Sequence, residues 1–365
     1  MRIAAVVAGI LTVSLLLGGG SQTATSQPTT LISTRGSILA FAQDAPEIAW
    51  VSGSDGEACR GRVSIRNLVS GRQAIVGKAN LWGAFCQYGA LVAVAASRVG
   101  WGGYDGGGNN DYGGIAVGAS GSRAVVLEDL ELINRLYGKF LMSLSGDGPT
   151  LVYAVVETDL TTPFGLDNCF PRCRFAVVGG GVRRVVGGQP VGVPGAPPAT
   201  AVAAAHGLIA LVPASTTIRT TERNPVPRPA RNGSVEIRDA VSGEVKATFA
   251  PSGTVVAVAL TTATAAGLVH DGKRARVEVY DARKGSRLAR ASVPLGAKDL
   301  SIAGRTIVYR VGRTIYVLDW RRGAPTKLAV AKARPYGLSI EGRRVAWAEN
   351  LSRGMSRVRA VTLSP

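Results

Sequence analysis

Histidine is scarce in this 365-residue chain, which carries only His206 and His270, and cysteine is nearly as rare, with four. A serine or cysteine nucleophile needs a base beside it, and no Gly-x-Ser-x-Gly elbow occurs. The familiar hydrolytic triads therefore have little to draw on. Zinc is excluded by the same shortage: Cys169 and Cys173 have the spacing of half a site, and no second Cys/His pair completes it. Acidic residues are outnumbered, 24 against 42 Lys and Arg, for a formal charge of +18. Beyond the N-terminus no stretch keeps a helical period, apart from a short candidate around Leu130 to Tyr137, which removes helical bundles and alternating α/β folds.

Repetition is what the chain does have. Val63-Ser-Ile-Arg-Asn67, Val235-Glu-Ile-Arg-Asp239, Val277-Glu-Val-Tyr-Asp281 and Ile315-Tyr-Val-Leu-Asp319 alternate apolar and polar residues, and each reaches glycine four positions later, at Gly71, Gly243, Gly285 and Gly323. Each copy predicts a β-hairpin. The last three Asp residues are 42 and 38 apart, the spacing of stacked supersecondary units. A second motif runs in register with the first: Ser145-Gly-Asp-Gly148 leading to Tyr153, Ser301-Ile-Ala-Gly304 to Tyr309, and Ser339-Ile-Glu-Gly342 to Trp347, with looser copies ending at Trp50 and Trp101. This one predicts strand, tight turn, strand.

Together the two motifs give four antiparallel strands per unit. Such a sheet cannot bury both faces alone, and packing units radially into a closed ring leaves only short, protected edges. The expected fold is all-β, a single β-propeller of seven four-stranded blades, with six blades and one irregular insertion as the competitor. The units run from about residue 36 to 78, 79 to 137, 138 to 188, 198 to 250, 251 to 295, 296 to 331 and 332 to 365. The last has only three strands, so the N-terminal stretch Thr30-Leu-Ile-Ser-Thr34 is expected to supply its fourth.

These motifs, best over residues 296 to 365, resemble the bacterial TolB-like and WD-repeat-like propellers. The resemblance implies a fold and little about function. TolB-like proteins carry an extra domain ahead of the propeller that the stretch between residues 30 and 50 has no room for, so their envelope partners are not carried over. Some propellers bind quinone cofactors, but five tryptophans fall short of the Trp-rich blades expected of them.

Residues 1–26 read as a secretory signal peptide, with Arg2, an apolar run from Ile3 to Leu17 and a small, polar Ser21 to Ser26 stretch; the propeller occupies 27–365. An uncleaved anchor is the alternative, although the run is short for a full span. A secreted, periplasmic or cell-surface protein can keep disulfides, and Cys59 with Cys86 and Cys169 with Cys173 are the expected pairs, one of three connectivities.

From residue 270 onward 21 basic residues face 7 acidic ones, with doublets at Arg283-Lys284, Arg321-Arg322 and Arg343-Arg344. A cationic patch of this kind suits anionic cell-wall polymers, or peripheral association with a membrane surface. No motif interleaves aromatics with these charges, so no specific nucleic-acid recognition is expected. Loops between second and third strands carry Asp55, Glu57, Asp105, Asp111, Glu157 and Asp159, beside Trp101, Tyr104 and Tyr112. This acidic and aromatic face is the expected ligand face, suited to a sugar, a cationic peptide or calcium, although no established calcium spacing is met. The inner strands read Ile38 to Phe41, Leu91 to Val94, Ala201 to Ala204 and Val255 to Val258, with no repeating carboxylate, while Asp299 and Glu341 stand isolated.

The chain is therefore expected to be a non-catalytic, monomeric binding or scaffold module for an envelope protein or anionic polymer, without cofactor or metal. A propeller-type hydrolase or lyase using channel or loop carboxylates is the alternative.

Overall fold

A computed structural model describes residues 27–53, 61–79, 87–107, 110–161, 173–219 and 226–364, the side chains of 87–88, 105–107 and 217–219 excepted. The chain is a single all-β propeller. It begins with β1 (Thr29–Arg35), followed by a blade of β2 (Ile38–Asp44), β3 (Glu47–Ser52), β4 (Arg62–Asn67) and β5 (Gln73–Lys78). Next come β6 (Gln87–Ala95), β7 (Arg98–Gly107), β8 (Asn110–Ala119), β9 (Val125–Ile133), β10 (Tyr137–Asp147), β11 (Thr150–Leu160), β12 (Arg174–Val186) and β13 (Gln189–Gly192).

The following blade holds β14 (Ala199–Ala205), β15 (Leu208–Pro213), β17 (Val235–Asp239) and β18 (Val245–Phe249), while the short β16 (Thr217–Arg219) leaves it to pair with β12. Three more blades complete the ring: β19 (Thr254–Leu260) to β22 (Arg287–Val293) by way of β20 (Thr264–His270) and β21 (Ala275–Asp281); β23 (Ala297–Ala303), β24 (Thr306–Val311), β25 (Thr314–Asp319) and β26 (Pro325–Val330); and β27 (Pro335–Glu341), β28 (Arg344–Asn350) and β29 (Met355–Thr362).

The expected count of seven blades is corrected to five. Five sheets are separate four-stranded blades, whereas β6 to β13 together with β16 form one nine-stranded sheet where two further blades were expected. The reason is local. Asn134 and Arg135 take positive φ and turn β9 straight back into β10, which pair at Ile133 with Tyr137 and Leu132 with Gly138. The helical candidate at 130–137 is this strand and turn, and the burial of Leu130 and Leu132 but not Glu131 follows a period of two.

The last blade is closed by β1, which pairs antiparallel with β29 from Thr29 opposite Ala360 to Arg35 opposite Met355. Asn350 locks the joint, accepting the Ile38 N–H at 2.8 Å and donating to the Ile38 carbonyl at 3.0 Å. The first and last strands of the described residues are thus joined in one sheet.

Each repeated residue has a structural task. The motif aromatics Trp50, Trp101, Tyr153, Tyr309 and Trp347 are 0–2% exposed and fill the core, where each buries enough apolar surface to contribute on the order of 2–3 kcal/mol. In the hairpin motif the side chains of Asn67, Asp239 and Asp281 accept two backbone N–H groups of their own turn, and Asp319 accepts one. The following glycines, Gly71, Gly243, Gly285 and Gly323, all take positive φ and donate back to the carbonyl of the same residue. Among the described residues no helix is long and apolar enough to cross a membrane.

Candidate functional site

Inner strands β2, β6, β10, β14, β19, β23 and β27 surround a central cavity of about 280 Å³ with walls of Val92, Val94, Val202, Ala204 and Val258 among others. The small residues expected of the inner strands line it, but so do Gln43, Ser145, Asp147, Ser301, Ser339 and Glu341, so the channel is not the apolar one expected. At its rim Asp44, Asp147 and Glu341 end β2, β10 and β27 on the same side of the ring, with ligand oxygens all within 4.8 Å of one another.

Hydrogen bonds between neighbouring strands set this convergence. Ser143 Oγ accepts the Val202 N–H at 3.1 Å, Ser145 Oγ the Ala204 N–H at 3.0 Å, and Asp147 Oδ2 the His206 N–H at 3.0 Å, so β10 and β14 run side by side to the channel mouth. Ser301 Oγ accepts the Ile340 N–H at 3.2 Å and anchors β27 one residue before Glu341. His206, in the β14–β15 turn with φ of 42°, places its ring Nδ1 at 2.5 Å from Asp147 Oδ2. Opposite it, the Asp44 carboxylate accepts backbone N–H groups of Gly148 and Ala96.

The electrostatics are those of an under-compensated acidic well. Burial raises the Asp44 carboxyl above its ordinary value; the Gly148 and Ala96 amides and His206 act in the other direction, and the Asp147 charge adds to the rise. Burial likewise raises Glu341, reinforced by the charges of Asp44 and Asp147. Nearest in sequence, Arg344 spends its Nε on Gln43 Oε1 at 3.0 Å, while Gln43 donates back to the Arg344 carbonyl. Three carboxylates at this separation strongly favour a cationic group among them. Glu341 is therefore not isolated. Asp299, near the start of β23 and paired with Arg310, belongs to the other end of the channel.

The expected ligand face is not assembled as expected. Trp101 is fully buried and donates to the Lys78 carbonyl at 3.0 Å. Tyr104, 6% exposed, donates to the Lys139 carbonyl at 2.7 Å and accepts the Leu141 N–H. Asp111 is 1% exposed and paired with Arg135 at 3.0 Å. These three are interior residues, because β7 and β8 extend as one paired hairpin out to Gly107 and Asn110 instead of ending in a loop. Tyr112 remains exposed and lines a groove with Glu131, Lys139 and the half-buried Glu157; Asp159 is exposed and caps the Leu160 N–H. Asp55, Glu57 and the Asp105 side chain lie outside the described residues. So do Cys59, Cys86 and Cys169, and with them the expected pairings; Cys173 is buried and disulfide-bonded.

All three basic doublets open on the side of the acidic well. Arg283 and Lys284 occupy the β21–β22 turn, Arg321 and Arg322 the β25–β26 turn, and Arg343 the β27–β28 turn, with Arg344 beginning β28. Arg321 lies over the Trp320 ring at 5.3 Å, and Arg322 reaches Asp319 at 3.8 Å. One face thus presents negative charge at its centre and positive charge in the turns around it.

No protein-family model matches the chain, and no curated protein sequence matches it. Among solved structures it is similar to the β-propeller domain of the Trilobed protease from Pyrococcus furiosus, described as having an open velcro topology, with 8% identity over 90% of this chain and 95% of that one and a TM-score of 0.52. It is also similar to the Dos1 propeller (13% identity, 92% and 96% covered, TM-score 0.48) and to BamB from Moraxella catarrhalis (12%, 89% and 85%, TM-score 0.42). At such identities the likeness defines the class of protein by fold alone: a β-propeller.

Proposed function

We propose that this chain is a non-catalytic, secreted or envelope-associated binding module of TolB-like repeat type, whose channel mouth receives a cationic side chain of an envelope protein. The convergence of Asp44, Asp147 and Glu341 from three inner strands carries the reading. Those carboxylates supply the negative centre, His206 supplies a polar ring beside it, and the basic turns suit acidic residues flanking the partner's cation. Electrostatic complementarity of this kind selects and orients a partner. The Ser-x-x-Gly turns support the TolB-like relationship, and the apolar N-terminal run supports export.

A hydrolase or lyase is the second reading, favoured by the Asp147 contact to His206. The arrangement suits binding better, since the glycosidase pattern holds two carboxyls about 5–9.5 Å apart across a bond, not three in one cluster. The test is a crosslinking pull-down of the mature protein from its own envelope fraction at physiological and high salt. A discrete protein retained at high salt by the wild type and lost by D44N/D147N/E341Q supports the reading. Equal capture by the variant contradicts it.

A further inference from the structure

A second cleft, of about 720 Å³, lies where the ring closes, between β1 with the β28–β29 turn on one side and β3, β4 and β5 on the other. Among the described residues its charged lining is of one sign: Arg35, Arg62 and Arg353 line the space, with no carboxylate beside them. All three arginines are exposed, and among the described residues none has an ion-pair partner. Their positions are fixed by backbone. Arg35 ends β1 opposite Met355, the Gly36 N–H is bound by the Gly354 carbonyl at 2.8 Å, and the Arg62 carbonyl accepts from Ser52 Oγ at 3.1 Å.

Hydroxyls and an amide stand among them, from Thr34, Ser52 and Gln73. Trp50 forms part of the wall, while Ile75 and Met355 are 56% and 39% exposed beside the charges. Planar guanidinium groups bind oxyanions bidentately, and three around one cleft match an anion with several terminal oxygens. The Thr34 and Ser52 hydroxyls already donate to the Arg35 and Arg62 carbonyls, so the Gln73 amide is the further donor to such a shell, and the exposed apolar side chains suit a carbon moiety attached to it.

We infer that this closure cleft is a binding site for a phosphate group carried by an envelope component, held by Arg35, Arg62 and Arg353. The site is separate from the channel mouth and uses none of the basic doublets. It also sits on the joint that seals the ring, so its ligand bridges the first and last blades.

The test is direct binding of the full mature chain to two probes: a short soluble polyphosphate, and vesicles of phosphatidylcholine containing phosphatidylglycerol. R35Q/R62Q/R353Q is compared with R283Q/K284Q/R321Q, which removes the same charge from the basic turns. The cleft variant is expected to lose about tenfold or more in affinity, and the charge-matched variant less than about threefold. Binding to polyphosphate identifies a soluble phosphate polymer as the source, and binding to vesicles alone identifies a lipid headgroup. Equal weakening by the two variants, or no binding to either probe, overturns the assignment. Neither result bears on partner capture at the channel mouth.

Discussion

One oxygen of Asp147 accepts both the backbone N–H of His206, at 3.0 Å, and the ring Nδ1–H of the same residue, at 2.5 Å. It thereby fixes a positive-φ turn and orients an imidazole that is 64% exposed at the channel mouth. The ring lies over the neighbouring turn, where a Cβ on Gly148 would come within 3.2 Å of Nε2. Backbone geometry and site geometry here depend on the same carboxylate.

That double role separates two variants. H206A removes an exposed ring and should leave thermal stability nearly unchanged while weakening partner capture. D147A also strips the acceptor from a backbone N–H, and should cost about 1 kcal/mol in urea unfolding besides weakening capture. Equal stability of the two would show that Asp147 does not organise the turn.

Glu341 makes a prediction about pH. Its carboxyl is raised in the folded protein, first by burial and then by Asp44 and Asp147. A carboxyl whose folded pKa exceeds its unfolded one, near 4.3, contributes stability that is complete below the unfolded value and lost as pH rises through the folded value. E341Q should therefore be more stable than the wild type at pH 7 and lose that advantage by about pH 4. Thermal melts at both pH values test this, and a constant difference would contradict it.

The repeated glycines, alike in sequence, should differ in cost. Gly285 and Gly323 both hold positive φ, and a side chain there costs on the order of 1–2 kcal/mol. A Cβ on Gly285 would also come within 2.3 Å of the Thr248 carbonyl on the preceding blade, whereas nothing lies within 4 Å of one on Gly323. G285A should exceed G323A by about 1–3 kcal/mol in equilibrium unfolding.

Arg276 and Glu278, 2% and 1% exposed, form a buried ion pair that also engages Asp271, the Ser252 carbonyl and the Tyr280 hydroxyl. Burial acts to raise Glu278, but the bonds from Arg276 and Tyr280 outweigh it and hold the carboxyl below its ordinary value. Its contribution is therefore present above the unfolded pKa and is lost as pH falls through the folded one. R276A should cost about 3–5 kcal/mol at pH 7 by stranding a buried charge, and R276M/E278L much less.

These cases show which parts of the protein are legible from sequence. The Asp-to-Gly hairpin and the Ser-x-x-Gly turn are local chemistry, and each occurs in the structure at the residues that carry the motif. The five buried aromatics belong to the same class, since each sits at a fixed offset from its turn. The blade count was not legible, because it depends on whether Asn134 and Arg135 separate β9 from β10 or join them. Trp101, Tyr104 and Asp111 misled because a glycine-rich segment reads as a loop, while here the small residues allow a long hairpin to pack closely: a Cβ on Gly102 would meet Leu141 at 2.5 Å.

The acidic well did leave a trace. In Ser145-Gly-Asp147-Gly148 and Ser339-Ile-Glu341-Gly342 the residue before the turn glycine is a carboxylate, where Ser301-Ile-Ala303-Gly304 has alanine. Asp44 occupies the matching position ahead of Ala45-Pro46, and the absence of a turn glycine there hid it. Knowing that these positions meet requires the ring.

The most direct test of the account is site-specific photocrosslinking in the native envelope fraction, with the photoreactive residue placed at position 206 on the channel mouth or at position 112 on the opposite loop face. A discrete protein adduct is expected from 206 that disappears when E341Q is added, and none from 112. An adduct from 112 alone would place the partner on the other face and contradict the assignment of the carboxylate cluster as the binding site.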